Sequence, residues 1–159
     1  MKTTRSLITL LTVALVLLVG AIPAFAQSAL IPGGVPTYGS VSLQAGFVPD
    51  PYEVAVTSGG SLSASWELGS ECAGYINDVP DFKLHWSGST EALYIGFTSS
   101  ADTTLVVRTP GGFYWCSDDV FGLDPEVMLL YPSTGTYQVW VGSYSSGEYN
   151  SGTLYVTEI

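Results

Sequence analysis

Fourteen acidic side chains and a single histidine bound the chemistry open to this chain. The densest acidic group is Asp118 and Asp119, with Asp124 following after a turn at Gly122. Carboxylates gathered in a loop are the hard oxygen donors that Ca²⁺ takes, roughly six to eight at a time, together with carbonyls and water. Asp118, Asp119 and Asp124 are therefore the candidate metal ligands, with calcium as the candidate ion. The D-x-D-x-D-G loop and closing Glu of an EF-hand are not present, so an EF-hand is excluded. The competing reading is structural: these acids cap a turn by accepting backbone N–H groups. Asp118 and Asp119 are a poor pair for glycoside hydrolysis. Adjacent residues on a strand point to opposite faces, whereas that chemistry needs two acids facing one bond.

His85 lies two residues from Lys83 on the polar side of an alternating run. No G-x-S-x-G elbow accompanies it. A small secreted hydrolase with an unrecognised Ser-His-acid site is the alternative function that His85 leaves open. Four Trp and ten Tyr supply a different kind of site, since sugar-binding modules use exposed aromatic faces as stacking platforms. Trp86 shares the apolar side of Phe82 and Leu84 and belongs to a core. Trp140 falls opposite Tyr137, Val139 and Val141, so it and Tyr114 are the candidate exposed ligand platform. A calcium-stabilised carbohydrate-binding module combines the two candidate sites.

The elements that must position these residues begin after a targeting segment. Met1, Lys2 and Arg5 make a short cationic start, and Leu7 to Val19 is apolar apart from Thr9 and Thr12. Ala24-Phe25-Ala26 then forms a small-x-small cleavage site, so residues 1–26 are predicted to be a cleaved signal peptide. The apolar run falls short of the ~20 residues of a membrane span. The product is expected outside the cytoplasm, secreted or periplasmic, with no membrane attachment after cleavage. Its two bases, Lys83 and Arg108, stand against fourteen acids, a net charge of −12. Nucleic acid is excluded as a partner, because binding it requires clustered Lys and Arg. Cys72 and Cys116 are the only cysteines. In an oxidising compartment they are expected to pair, closing a loop worth roughly 4 kcal/mol on chain-entropy grounds.

Residues 27–40, with Pro32, Gly33, Gly34, Pro36 and Gly39, read as a flexible N-terminal segment. From 41 to 159 the apolar residues recur with period two, as in Phe82-Leu84-Trp86, Leu93-Ile95-Phe97, Tyr137-Val139-Val141 and Leu154-Val156. Turn clusters separate these runs: Ser58-Gly59-Gly60, Ser87-Gly88-Ser89, Pro110-Gly111-Gly112 and Pro132 to Gly135. Further short strands are predicted near 52–57, 61–66, 74–76, 103–108, 113–117 and 126–130. The only helical candidate is one turn near Asp78–Asp81, which Pro80 compromises. The predicted fold is all-β: an antiparallel, jelly-roll-like β-sandwich of about eight strands with one disulfide.

The order of these parts resembles a known family. Asp102-Thr103-Thr104-Leu105 opens a strand, and Thr109-Pro110-Gly111-Gly112 turns it. Phe113 to Cys116 leads into Asp118-Asp119, and Gly135-Thr-Tyr-Gln-Val-Trp-Val-Gly-Ser-Tyr144 closes the run. This is similar to the pre-peptidase C-terminal domain family of small secreted bacterial β-sandwiches, over roughly residues 45–158. The resemblance implies a non-catalytic module that binds or stabilises, in contact with an extracellular protein, a glycan or a surface.

Overall fold

The computed structural model describes residues 29–159. The expected signal peptide, residues 1–26, lies outside the described residues. Eleven strands and one short helix follow: β1 (Ser40–Gln44), β2 (Tyr52–Thr57), β3 (Leu62–Ser63), α1 (Ala64–Leu68), β4 (Tyr75–Ile76), β5 (Phe82–Ser87), β6 (Ala92–Ser99), β7 (Thr103–Arg108), β8 (Tyr114–Ser117), β9 (Glu126–Leu130), β10 (Gly135–Ser143) and β11 (Ser151–Glu158). They form two sheets. The larger runs β1-β5-β10-β4-β3, with β7 and then β8 on the other side of β10; the smaller runs β2-β11-β6-β9. The sandwich and its single disulfide agree with the sequence reading, with more strands than the eight expected. One pair departs from the antiparallel pattern: β1 runs parallel to β5.

The main core fills the space between the sheets. Phe82, Leu84, Trp86, Leu105, Val107, Tyr137, Val139 and Val141 come from the large sheet; Val56, Leu93, Ile95, Phe97, Leu154 and Val156 come from the small one. The period-two runs put alternate side chains on this face, which is why the sequence displays them so clearly. A second core lies on the outer face of the large sheet. Leu30, Ala64, Cys72, Ile76, Val106 and Trp140 pack together there. Trp140 is fully buried in it, which corrects its assignment to an exposed platform. The alternation placed Trp140 on the correct side of β10, but α1 and the N-terminal segment cover that side.

That cover arises where two other expectations fail. The strand expected over 61–66 stops at Ser63, and Ala64–Leu68 turns into a single helical turn that presents Ala64 to Trp140. The lead-in is also tied down. Leu30 is buried, the Ile31 and Thr37 amides donate to the Asp78 and Pro80 carbonyls, and Gly33 N–H donates to Gln138 Oε1 at 2.7 Å. The Cys72–Cys116 bridge joins the loop after α1 to β8 across the same second core.

Asp81 repairs a gap in the large sheet. β10 pairs with β5 up to Val139↔Phe82 and meets β4 only at Ser143↔Tyr75. Between them the Val141 amide donates to Asp81 Oδ2 at 2.8 Å, and Asn77 Nδ2 donates to Oδ1 at 2.9 Å. Burial pushes this carboxyl up to about 6, against the lowering effect of those two donors. A carboxyl raised on folding holds its proton more tightly in the native state. Its contribution to stability is therefore complete below the ordinary value near 3.8 and is lost as pH rises through about 6. A rise of that size corresponds to roughly 3 kcal/mol. Asp81→Asn keeps an acceptor for Val141 and removes the titration. The wild type should therefore lose roughly 3 kcal/mol relative to this variant between about pH 4 and about pH 7, measured by denaturant unfolding. A constant difference across that range would show that Asp81 does not titrate there.

Candidate functional site

Two features stand out from the packed frame: a carboxylate cluster and an apolar groove. They sit at opposite ends of β8.

The β7–β8 hairpin builds the cluster. Its register pairs Leu105 with Ser117, so the start of β7 lies beside the end of β8. Asp102, just before β7, thereby meets Asp118 and Asp119, just after β8. One carboxylate oxygen from each lies within 4.8 Å of the other two. Asp124 is not part of this group. Its Oδ1 accepts the Ser99 amide at 2.9 Å, and its carbonyl accepts the Val120 and Phe121 amides. Asp124 is thus a turn residue, which corrects its assignment as a ligand. Asp102 is the ligand candidate that sequence reasoning missed. Counting residues back from the Pro110 turn along both arms of the hairpin would have placed it level with the acidic pair.

The cluster fits a hard cation on donor chemistry, with three carboxylates and no sulfur or nitrogen ligand. Asp102 Oδ1 and Asp118 Oδ1 are enclosed, and neither has a hydrogen-bond partner. Burial raises the Asp102 carboxyl, and the charges of Asp119 and Glu148 raise it further. Burial also raises Asp118, with Asp119 and Asp102 adding to it.

The groove lies between the free edges of the two sheets. β8 pairs only with β7 and β9 only with β6. At one end the two edges are pinned, because the Glu126 amide donates to Ser117 Oγ at 3.1 Å. Toward the other end they diverge around a space of about 640 Å³. Phe113, Tyr114 and Trp115 line one wall; Met128, Leu130 and Tyr131 line the other. Leu129, a member of the main core, and Tyr137 also line the space. Gly135 lets the hairpin tip close against β10, since a Cβ there would stand 2.7 Å from Pro110. Tyr137 Oη donates to the Ser133 carbonyl at 2.8 Å and holds the β9–β10 turn.

The groove is open to solvent. Phe113 is 73 % exposed, Leu130 63 % and Tyr131 77 %. Tyr131 also has φ 48°, the only positive value at a non-glycine position among the described residues. Such a conformation at a bulky residue is strained, and strain of this kind concentrates where a side chain must be presented. Of the groove residues, the sequence reading singled out Tyr114, as part of an exposed platform; it is half-buried, its ring 6.1 Å from that of Trp140. It did not single out Phe113 and Tyr131, which flank β8 and β9, because residues beyond a strand's end carry no periodicity, nor Met128 and Leu130, because the outward positions of an alternating strand read as ordinary surface.

His85 is exposed on β5, and its ring Nδ1 lies 2.9 Å from Thr136 Oγ1. The one side chain it engages is therefore a threonine on β10, not a serine or an acid.

No family model matches the sequence, and no curated protein matches it. Among the solved structures similar to it are two at low identity. One is the pre-peptidase C-terminal domain of a collagenase from Bacillus anthracis, 13 % identical, with TM-score 0.37 over 74 % of this chain and 92 % of that one. The other is PliG of Aeromonas hydrophila, a periplasmic inhibitor of g-type lysozyme, 14 % identical, with TM-score 0.39 over 75 % and 96 %.

The like charges of the cluster generate a prediction. Asp102 and Asp118 are both raised, so the stability they contribute is lost as pH rises above the ordinary carboxylate range. Asp119 contributes to both shifts while itself being exposed. In chelator, Asp119→Asn should melt above the wild type at neutral pH and approach it near pH 3, where the raised carboxyls of Asp102 and Asp118 are protonated and no longer repelled by its charge. Differential scanning calorimetry at the two pH values checks this; a variant that melts lower at neutral pH would assign Asp119 a capping role instead.

Proposed function

We propose that this chain is an exported, non-catalytic β-sandwich module whose contact surface is the aromatic groove between β8 and β9. The observation that carries the reading is the groove itself: Phe113, Tyr114, Trp115, Met128, Leu130 and Tyr131 stand around an open space in a chain with a net charge of −10. Contiguous exposed apolar surface rimmed by polar residues is the mark of a binding site. The hydrogen bond of His85 to Thr136 supports the non-catalytic part, and the single disulfide supports an oxidising compartment. An extracytoplasmic protein suits the groove better than a glycan. Its lining has no Asn, Gln, Asp, Glu, Lys or Arg side chain to read sugar hydroxyls.

Amide NMR mapping of the mature protein with two probe classes, soluble oligosaccharides and short extended peptides, tests this reading. Shifts should cluster on Phe113–Trp115 and Met128–Tyr131. Shifts confined to another face, or a response to oligosaccharides alone, would overturn it. Tyr131 adds a stability arm. Tyr131→Gly removes the left-handed strain, so stability should hold or rise by up to about 1 kcal/mol while peptide binding weakens.

The enclosed, unpartnered oxygens of Asp102 and Asp118 favour a second reading, a calcium ion that stabilises the module. Its ligands would be Asp102, Asp118 and Asp119, and the ion would supply the positive charge that this group lacks. Calcium at about a hundredfold excess over its Kd should then add ~2.7 kcal/mol to the wild type. Asp119→Asn should lose most of that gain, so the order of melting seen in chelator reverses in calcium. An unchanged wild-type melting curve in millimolar calcium would dismiss the ion.

A further inference from the structure

The β9 wall of the groove carries more than apolar side chains. In an antiparallel ladder successive residues point their backbone groups alternately toward and away from the partner strand. Two bonds fix the phase for β9. The Phe97 amide donates to the Pro125 carbonyl, and the Tyr131 amide donates to the Glu91 carbonyl. Odd-numbered residues of β9 therefore serve β6. The N–H and C=O groups of Glu126, Met128 and Leu130 point to the open side. Of these, only the Glu126 amide is engaged, by Ser117 Oγ. Met128 and Leu130 thus line the groove with unpaired backbone donors and acceptors. Their own side chains stand exposed on the outer face of the small sheet.

This edge lacks the usual protection. Exposed edges are commonly blunted by Lys, Pro or an inward-pointing charge. β9 has none of these between Glu126 and Leu130; Pro125 and Pro132 stand just outside its two ends. They leave room for an incoming segment of about five residues.

Charge decides what can enter. Every groove-lining residue is uncharged, but acids surround the groove. Glu126 shares the outer face of β9 with Met128 and Leu130, its carboxylate accepting the Tyr155 hydroxyl at 2.7 Å. Glu91 adjoins Tyr131 through its carbonyl. Asp118 and Asp119 follow β8 at the pinned end. The one nearby cation, Arg108, is stacked on the Tyr114 ring at 5.7 Å. A second copy of this chain would bring another charge of −10 and be repelled.

Building on the groove reading above, we propose that the free edge of β9 accepts an extended, cationic strand from an extracytoplasmic protein. The strand pairs with the Met128 and Leu130 backbone, and its alternate apolar side chains enter the groove against Trp115 and Tyr137. Its flanking Lys or Arg residues face Glu91 at one end and Glu126, Asp118 and Asp119 at the other. Main-chain pairing supplies affinity in this mode and the alternate side chains supply specificity.

The test uses the mature protein and three synthetic peptides of about seven residues. The first has Lys at both ends and Val or Leu at alternate internal positions. The second replaces the end Lys residues with Glu. The third keeps Lys and places Pro at the central position. The Lys-ended peptide should bind about tenfold or more tightly than the Glu-ended one, and the gap should narrow as salt rises from about 20 mM to about 150 mM. The Pro peptide should bind weakly, and the Met128 and Leu130 amides should gain exchange protection only with the first peptide. Met128→Pro deletes a groove-facing donor on an edge strand, where Pro is tolerated, and should abolish that binding. Met128→Lys, which keeps the backbone donor and adds a repelling charge, should weaken it if the Pro variant does not fold. Equal binding of Lys- and Glu-ended peptides in the groove would overturn the cationic strand while leaving the groove as a contact surface. Binding of the Pro peptide at full strength, or no binding of any peptide, would overturn strand pairing.

Discussion

β10 is the strand on which the rest of the structure depends. It pairs with β5, β4 and β7 along different parts of its length, and apolar cores cover both of its faces. A strand buried on both sides must have every backbone group satisfied, because an unpaired amide in that environment costs free energy. The chain meets the requirement with one charged side chain. Asp81 takes the Val141 amide where neither β5 nor β4 reaches it. A carboxylate there trades a satisfied donor against the desolvation of a charge, and its raised pKa records the balance.

Covering the outer face of β10 shapes the remainder of the large sheet. Leu30 and Ala64 close over Trp140, and the disulfide draws β8 into the same layer through Cys116. Tyr114 follows on the same face of β8, its ring 6.1 Å from that of Trp140. The opposite face of β8 then turns Trp115 toward the seam between the sheets. The groove is therefore a consequence of how β8 is anchored. One face is held by the bridge and the second core, and the other is left with no strand to meet.

Much of the fold was legible because burial on one face writes period two into the sequence. β2, β5, β9 and β11 are examples, and the Cys72–Cys116 pairing was expected from a count of two cysteines in a chain read as exported. What failed was cover. A chain that alternates correctly at Trp140 does not say whether the other face meets water or a helical turn seventy-odd residues earlier in the sequence. The five-residue helix at Ala64–Leu68 is too short to show a helical period. The lead-in is rich in Gly and Pro, yet it is fixed by backbone bonds to Asp78, Pro80 and Asp81 that no composition reveals. At the carboxylate cluster, adjacency in sequence found Asp118 and Asp119. Only hairpin register brings in Asp102 and leaves Asp124 to its turn.

The charge of the molecule and the apolar groove belong to one arrangement. An uncovered strand edge with outward Met128 and Leu130 is an aggregation hazard, and edge lysines or an edge proline would remove it at the expense of the surface. This chain keeps the edge and carries its protection elsewhere, in fourteen acids against four Lys and Arg. Repulsion between copies acts over about 10 Å at moderate salt, farther than the edge-to-edge contact it must prevent. The same field would draw in the proposed partner of opposite sign and speed its encounter with the groove. Strand edge, aromatic walls and surplus acid thus form one surface, whose charge opposes a second copy and suits the basic strand proposed for it.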